Sequence, residues 1–341
     1  NRAGDDGSGD ADARPPTADA ALHVPYEPET LVSESLSGGV SKDGIPSVDE
    51  PDFRPIASVA DEAGLPVFGV VRNGEAKAYP QRVLVHHEIV NDVIGGDAVA
   101  VTYCPLTGTV QGFRRGDTTF GVSGRLVNSN LIMYDRGTDT RWPQVLATAV
   151  DGPMTGATLE EFRVVWTTAE AWAGRHPESL IMTDDTGHAR RYGSDPYGSY
   201  DPLGGYYAGS GTMFPPLSSP DEGHAKSVVI GARTESGAVA FDKATLLSKR
   251  VLTGTVGRDG PSVVAVADSG LSTGYVYRDP DGPAVEPDGD AYRVDGEGDE
   301  FAAADLPLES VLAFDAMWFA WAGFYPDTAF VGEHTGAGYG G

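Results

Sequence analysis

The hydrophobic positions of this chain fall in short β-branched runs that are separated by pairs of turn residues. Residues 67–71 (VFGVV) and 75–80 (EAKAYP) flank Asn73-Gly74, which is the strongest short hairpin signal. A second pair of runs flanks Gly95-Gly96, and Gly-Gly suits a two-residue turn with positive φ at both positions. The pattern therefore predicts two consecutive β-hairpins.

The Gly95-Gly96 turn also predicts which side chains face each other. Positions at equal distances from a two-residue turn are paired, and this places His87 opposite Cys104. Directly opposed Cβ atoms lie roughly 4.5–5.5 Å apart on one face of the hairpin. A metal ion or a hydrogen bond could join two such side chains.

A helix is predicted further along the chain. Thr158 and Glu161 form a capping-box pattern, and Phe162 and Trp166 follow at helical spacing. Pro177 ends the pattern.

Several stretches of the first half recur in the second half in the same order. The matched pairs are Val67–Tyr79 with Val229–Phe241, Val99–Val101 with Val264–Val266, and 172–179 (WAGRHPES) with 321–328 (WAGFYPDT). We therefore predict an α+β, mainly β fold of two internally repeated β-rich units, each closed by a Trp-bearing helix. Lys249 and Ser269 occupy the positions of His87 and Cys104 in the second unit.

The composition sets the predicted boundaries. Residues 1–30 form a polar, flexible acidic leader, and 31–183 form the first β-rich unit with the candidate site. Residues 184–225 are an irregular connection rich in Gly, Tyr and Pro, and 226–341 form the second, degenerate unit.

The chain of 341 residues carries a net charge of −26, which excludes some classes of partner. Such an excess of carboxylates argues against nucleic acid and anionic membrane surfaces. The acidic residues are spread along the whole sequence. This distribution indicates adaptation to high salt, as in haloarchaeal proteins, because salt screens the repulsion between like charges. A single cysteine excludes an internal disulfide, and the sequence contains no apolar run of the ~20 residues that a transmembrane segment needs.

The start of the chain suggests a location. It begins with Asn1 rather than methionine, and a flexible acidic leader follows. This pattern is typical of an exported protein, so we predict an extracellular or cell-surface protein with a lipid or surface tether at the N-terminus.

The motifs around the hairpin resemble one known family. They are HHEIVND (86–92), YCPLTGT (103–109), FGVSGRLVNSNLIMYDR (120–136) and WPQ (142–144). The family is the domain of unknown function numbered three-one-seven-nine, and the resemblance covers roughly residues 50–331. It implies a bacterial or archaeal protein that is often exported or lipid-anchored. Relatives commonly have a second cysteine at the position of Thr107, so a dithiol centre is not available here.

Three functional hypotheses follow. The first is an exported metal-binding protein with a redox or metal-handling role, holding copper in preference to zinc through His87, Cys104 and Met133. The second is a non-catalytic surface or assembly protein, a homo-oligomer or filament, in which Cys104 is a small buried apolar residue. The third is an enzyme in which Cys104 is the nucleophile and His87 the base.

Overall fold

A computed structural model describes residues 13–59, 61–62, 64–279, 282, 284–334 and 336. Over these residues the fold is mainly β with several sheets, as predicted, and has five short α-helices. The helices are α1 (Pro28–Ser33), α2 (Gln81–Leu84), α3 (Ala169–Arg175), α4 (Lys243–Lys249) and α5 (Trp318–Phe324), and Ile56–Val59 is a 3₁₀ helix.

The strands are short, as the spacing of turn residues predicts. In the first half they are β1 (Leu36–Ser37), β2 (Phe53–Pro55), β3 (Pro66–Arg72), β4 (Glu75–Pro80), β5 (Ile89–Ile94), β6 (Asp97–Cys104), β7 (Thr109–Arg114), β8 (Phe120–Val127), β9 (Asn130–Asp135), β10 (Arg141–Pro143), β11 (Glu161–Phe162), β12 (Val165–Thr168) and β13 (Leu180–Met182). They continue as β14 (Gly198–Tyr200), β15 (Leu203–Gly205), β16 (Val228–Thr234), β17 (Gly237–Asp242), β18 (Val251–Thr255), β19 (Ser262–Asp268), β20 (Thr273–Arg278), β21 (Val285–Asp288), β22 (Ala291–Val294), β23 (Glu300–Phe301), β24 (Ser310–Val311), β25 (Ala313–Met317) and β26 (Ala329–Val331).

The first half contains three sheets. Their strand orders are β12-β3-β4-β13-β2, β11-β7-β6-β5 and β1-β8-β9-β10. In the first sheet β3 pairs antiparallel with β4 and β12, whereas β13 runs parallel to β4. Helix α2 connects the first sheet to the second, and α3 connects β12 to β13.

The second half uses closely similar strand orders. One sheet has the order β25-β16-β17-β26, with two antiparallel pairs and one parallel pair, which is the pattern of β12-β3-β4-β13. The second sheet has the order β18-β19-β20-β24, and a third, three-stranded sheet is inserted between β20 and β24. Helix α4 connects the first two sheets, and α5 connects β25 to β26.

Each half packs a tryptophan of a helix against a glycine of a strand. A Cβ atom on Gly69 would lie 2.2 Å from the Trp172 ring, and a Cβ atom on Gly231 would lie 2.3 Å from the Trp321 ring. Real side-chain atoms do not approach so closely, so glycine is required at both positions. The helix bearing the tryptophan can then rest directly on the sheet backbone.

Both predicted hairpins form, but most of the predicted helix does not. Arg72 pairs with Glu75 around Asn73-Gly74. Glu161–Phe162 and Val165–Thr168 are the strands β11 and β12, which pair with β7 and β3, and only Ala169–Arg175 is helical. The β-branched residues of this stretch favour a strand, and sheet pairing prevails over the capping pattern. The helix cap is Thr168, whose hydroxyl accepts from the Ala171 N–H at 3.3 Å.

The described part of the predicted leader is not a free tail. Residues 1–12 lie outside the described residues, whereas 13–30 run across both halves of the molecule. The Ala18 N–H donates to the Thr158 carbonyl at 2.8 Å, and the His23 N–H donates to the Thr234 carbonyl at 2.9 Å. The polar composition of this segment suggested flexibility, but its backbone is held by hydrogen bonds that composition does not reveal.

The connection at 184–225 contains one small hairpin, β14–β15, and is otherwise irregular. Its tyrosines pack onto the first half. Tyr200 stacks on Tyr207 with ring centroids 4.0 Å apart, and the Tyr103 and Tyr200 hydroxyls lie 2.8 Å apart. The segment therefore covers the sheet that contains β5 and β6. Within the described part of the chain, no helix has the length and apolar character needed to span a membrane.

Candidate functional site

The hairpin β5–β6 forms with the predicted two-residue turn. Ile94 pairs with Asp97, and the ladder continues in register to Ile89 and Thr102. Gly95 and Gly96 have φ values of 55° and 84°, which glycine adopts without steric cost. The prediction of the turn and of the strand register is correct.

The ladder stops before it reaches His87. Glu88 has a φ of 59°, and its carbonyl accepts the Tyr103 N–H at 2.7 Å. This left-handed residue turns the chain out of the strand direction, so His87 belongs to the turn that follows α2. The pairing rule fails at His87 because the rule assumes that the strand continues.

His87 is fully buried and makes hydrogen bonds with both ring nitrogens. Nδ1 donates to the Pro46 carbonyl at 2.7 Å, and Nε2 therefore accepts from the Tyr192 hydroxyl, also at 2.7 Å. Burial, reinforced by the charges of His188, Arg190 and His86, lowers the pKa of His87 to about 4. His87 is a neutral structural link between the segment before β5 and the 184–225 connection.

Cys104 lies in a different environment. Its Sγ donates a weak hydrogen bond to the Ser129 carbonyl at 3.6 Å, and the side chain is only 1% exposed. Burial, followed by the negative charge of Glu88, raises the pKa of the thiol to about 11. Cys104 is therefore a protonated thiol at neutral pH.

Met133 is fully buried on β9, between Val122 of β8 and Trp142 of β10. It belongs to the same apolar cluster as Cys104. The structure thus brings Cys104 and Met133 into one cluster and places His87 in a separate hydrogen-bond network. Within the described ranges, no three or more His, Cys, Asp or Glu side chains are grouped to hold a metal ion. The opposed His87–Cys104 pair is missing, and metal binding stays a prediction.

The structure reveals a group that the sequence analysis did not select, the carboxyl of Glu88. It lies in the wall of a cavity of about 140 Å³ beside Cys104. Burial raises its pKa to about 8, so the carboxyl is mostly protonated at neutral pH. Among the described residues none forms a hydrogen bond with this side chain. Its oxygens are not among the inaccessible unpaired polar atoms of the described residues, so they keep some accessible surface that an acceptor in the cavity can reach.

The other walls of the cavity are mainly apolar. They include Val40, Ile45, Leu106, Val122, Leu126, Leu131, Met213 and Phe214. Arg125 also lines the cavity, but its Nε and one terminal nitrogen donate to Ser35. The polar side chains that line the cavity are therefore Glu88, Arg125 and Tyr197.

The 184–225 connection closes this cavity. Tyr197, Met213 and Phe214 form one wall, and the Ser129 hydroxyl donates to the Phe214 carbonyl at 2.8 Å. The Tyr206 hydroxyl donates to the Leu106 carbonyl at 2.7 Å. Burial, followed by the charges of Glu88 and Cys104, raises the pKa of Tyr197, so its hydroxyl also stays neutral.

A signal for Glu88 does exist in the sequence. It is the only acidic residue in the apolar run 83–90 (VLVHHEIV), and an ionisable group inside such a run is often buried. The cavity itself has no local signal, because its walls come from segments up to about 170 residues apart.

Comparison with known proteins identifies one family. The model of the family described as Protein of unknown function (DUF3179) matches residues 42–328. No curated protein is significantly similar to the chain. No solved structure is significantly similar to it either.

Proposed function

We propose that this chain, which belongs to the DUF3179 family of proteins of unknown function, binds a small uncharged molecule in the cavity beside Glu88. The ligand is mainly apolar and carries one hydrogen-bond acceptor, such as a carbonyl oxygen. The observation that carries this proposal is the buried Glu88 side chain, which lines the cavity and has no hydrogen-bond partner among the described residues.

The volume of the cavity limits the size of the ligand. Its 140 Å³ is close to that of an engineered protein cavity of about 150 Å³ that binds benzene. A ligand of about six to eight non-hydrogen atoms therefore fits, whereas a typical cofactor needs a pocket of roughly 300 Å³ or more.

The chemistry of Glu88 limits the charge of the ligand. A carboxylic acid donates its proton to an acceptor, and no residue of the described part of the chain accepts a hydrogen bond from Glu88. An anionic ligand next to Glu88 would raise the cost of a later ionisation of Glu88, although Arg125 supplies a positive charge elsewhere in the wall. An uncharged acceptor satisfies the carboxyl without placing a charge in the cavity.

The cysteine-dependent enzyme is the second candidate, and one observation favours it. The charge of Glu88 acts on the Cys104 thiol, so an acidic side chain lies near the single cysteine of the chain. The thiol is protonated, however, and Cys104 does not line the cavity. Binding therefore needs fewer assumptions than catalysis.

We also propose that the two halves are duplicated units, each closed by a Trp-bearing helix, and that the site belongs to the first. The matching strand orders and the matching Gly69–Trp172 and Gly231–Trp321 contacts support this. Arg250, with a φ of 69°, directly precedes β18 as Glu88 directly precedes β5. The second unit thus has a guanidinium where the first has the buried carboxyl. Export and a cell-surface location rest on the sequence and stay predictions.

Binding of cyclohexanone, followed by NMR titration, tests the proposed function. Cyclohexanone has seven non-hydrogen atoms and only an acceptor, and methylcyclohexane has the same size without the oxygen. We expect cyclohexanone to bind with a Kd of about 1 mM or lower and methylcyclohexane to bind more weakly. Affinity should fall roughly tenfold from about pH 7 to about pH 9, because the ionised Glu88 has no proton to donate.

Three variants make this test specific. Glu88→Leu should remove the preference for cyclohexanone over methylcyclohexane, whereas Glu88→Gln should keep the preference and lose its pH dependence. Val40→Trp should block the cavity from its exposed mouth. Val71→Trp is the matched control, because Val71 is similarly exposed but lies on β3, away from the cavity. Equal binding of both probes to the native protein would refute the proposal.

A further inference from the structure

Exposed apolar side chains cluster at the mouth of the cavity beside Glu88. In the part of the chain that the structure describes, only five large apolar side chains are exposed, namely Leu36, Val40, Val71, Val93 and Met213. Val40 and Met213 line the cavity although they are 37% and 58% exposed, so the apolar wall continues to the surface there. Single apolar residues are normal at a surface, whereas a cluster marks a place where something binds.

Leu36 extends this apolar surface beyond the mouth. It is opposite Leu126 in the antiparallel pair of β1 and β8, and directly opposed side chains lie on one face with Cβ atoms roughly 4.5–5.5 Å apart. Leu126 lines the cavity, and Leu36 is 40% exposed, so an apolar path leads from the cavity past Leu126 to Leu36. We call the surface formed by Leu36, Val40 and Met213 the apolar rim.

We infer that the ligand of this cavity is a carbonyl compound with a straight alkyl chain, whose oxygen meets Glu88 and whose chain leaves through the mouth onto the apolar rim. This inference rests on the proposed function, because it places the acceptor at Glu88. The cavity of about 140 Å³ holds about six to eight non-hydrogen atoms. The outer carbons of a longer chain therefore lie on the rim, where they are removed from water.

The side chains of the rim suit an alkyl chain better than a polar extension of the ligand. Leucine and valine offer no hydrogen-bond group, and the methionine sulfur is only a weak acceptor. Methionine is also unbranched and adapts to the shape of its partner. A methylene group tightens binding roughly fourfold when it is fully buried, and therefore roughly twofold when it is half-buried on such a surface.

NMR titration with 2-hexanone and 2-nonanone tests this inference. 2-Hexanone has seven non-hydrogen atoms and fits within the cavity, whereas 2-nonanone has three further methylene groups. We expect 2-nonanone to bind roughly eightfold more tightly than 2-hexanone. In protein with ¹³C-labelled methionine methyl groups, the Met213 signal, assigned from Met213→Ser, should shift further with 2-nonanone than with 2-hexanone. Equal affinities of the two ketones would overturn the inference.

A variant of the rim separates this surface from non-specific binding of longer chains. Leu36→Ser should lower the preference for 2-nonanone over 2-hexanone at least twofold. Val71→Ser is the matched control, because Val71 is similarly exposed but lies on β3, away from the cavity, and this variant should keep the full preference. An unchanged preference in Leu36→Ser would mean that the chain does not lie on the rim, and would overturn the inference.

A second copy of the chain is the other candidate for covering the rim. Sedimentation velocity of the native protein and Leu36→Ser, over a range of concentrations, tests this alternative. We expect both proteins to have the same oligomeric state. A native dimer that Leu36→Ser dissociates would assign the rim to a contact between copies and overturn the inference.

The three ketones distinguish a failure of this inference from a failure of the proposed function. If cyclohexanone and 2-hexanone bind and 2-nonanone binds no more tightly, this inference fails and the proposed function stands. If none of the three ketones binds, the proposed function fails and this inference fails with it.

Discussion

Replacing Glu88 with glutamine should stabilise the protein, and the gain should increase with pH. The carboxyl of Glu88 is buried, and its pKa rises from 4.5 to about 8 on folding. Between these pH values the folded protein keeps a proton on Glu88 that the unfolded chain has lost. Unfolding then releases a proton, so rising pH favours the unfolded state.

The size of the effect follows from the two pKa values. Each pKa unit corresponds to about 1.36 kcal/mol, so the interval from 4.5 to about 8 corresponds to about 5 kcal/mol of unfolding free energy. This stability is fully present below about pH 4.5 and has been lost by about pH 8. Glutamine has nearly the same shape as protonated glutamate and no charge, so the Glu88→Gln variant keeps this stability as the pH rises.

Urea unfolding of the native protein and Glu88→Gln, at constant salt from about pH 5 to about pH 9, measures this difference. The variant should gain roughly 1.4 kcal/mol on the native protein per pH unit, with a plateau above about pH 8. Glu178→Gln is the matched control, because Glu178 is exposed, and it should show no such trend. A constant difference between native protein and Glu88→Gln at all pH values would refute the burial of a protonated carboxyl.

Three further predictions test other parts of the structure. Gly69→Ala and Gly231→Ala should each lower the unfolding free energy by about 1–3 kcal/mol, because the new methyl group would clash with Trp172 or Trp321. Gly174→Ala, on the open surface of a helix, is the control and should not destabilise the protein. Cys104 in the native protein should resist iodoacetamide at about pH 8 and react only in urea, and rapid native labelling with an acidic midpoint would favour the cysteine-dependent enzyme. The native protein and Cys104→Ser should contain equal amounts of copper and zinc, because His87 and Cys104 form hydrogen bonds with separate groups. A metal content that falls when the thiol is removed would support the metal hypothesis.

Local signals in the sequence predicted the hairpins well. Asn73-Gly74 and Gly95-Gly96 specify their turns through backbone conformations that few other residues adopt, and the register then follows from the turn. The helix at 158–177 was predicted less well, because a capping pattern is also local but sheet pairing with distant strands decides the outcome.

The site depends on information that local patterns do not contain. Counted outward from the Gly95-Gly96 turn, the β5–β6 ladder ends at Glu88 and does not reach His87. Glu88 has a left-handed conformation that nothing in its residue type requires. The cavity is closed by Tyr197, Met213 and Phe214, which lie more than 100 residues after Glu88. Its existence therefore depends on how an irregular segment folds back over the hairpin.

Glu88 and Arg250 share a backbone feature, which indicates that the backbone conformation of Glu88 has a structural role. We infer that the proposed ligand binding depends on the side chain of Glu88. Both residues have positive φ after a short helix, and the carbonyl of each accepts a backbone N–H from the strand β6 or β19. The Arg250 guanidinium extends outward to the Tyr292 hydroxyl and the Gly289 carbonyl, whereas the Glu88 carboxyl is enclosed beside Cys104. The positive φ of Glu88 is therefore not itself a sign of function, since Arg250 also has a positive φ and does not line this cavity. What distinguishes the first half is an acid that is buried without a protein partner, and a ligand acceptor would satisfy it.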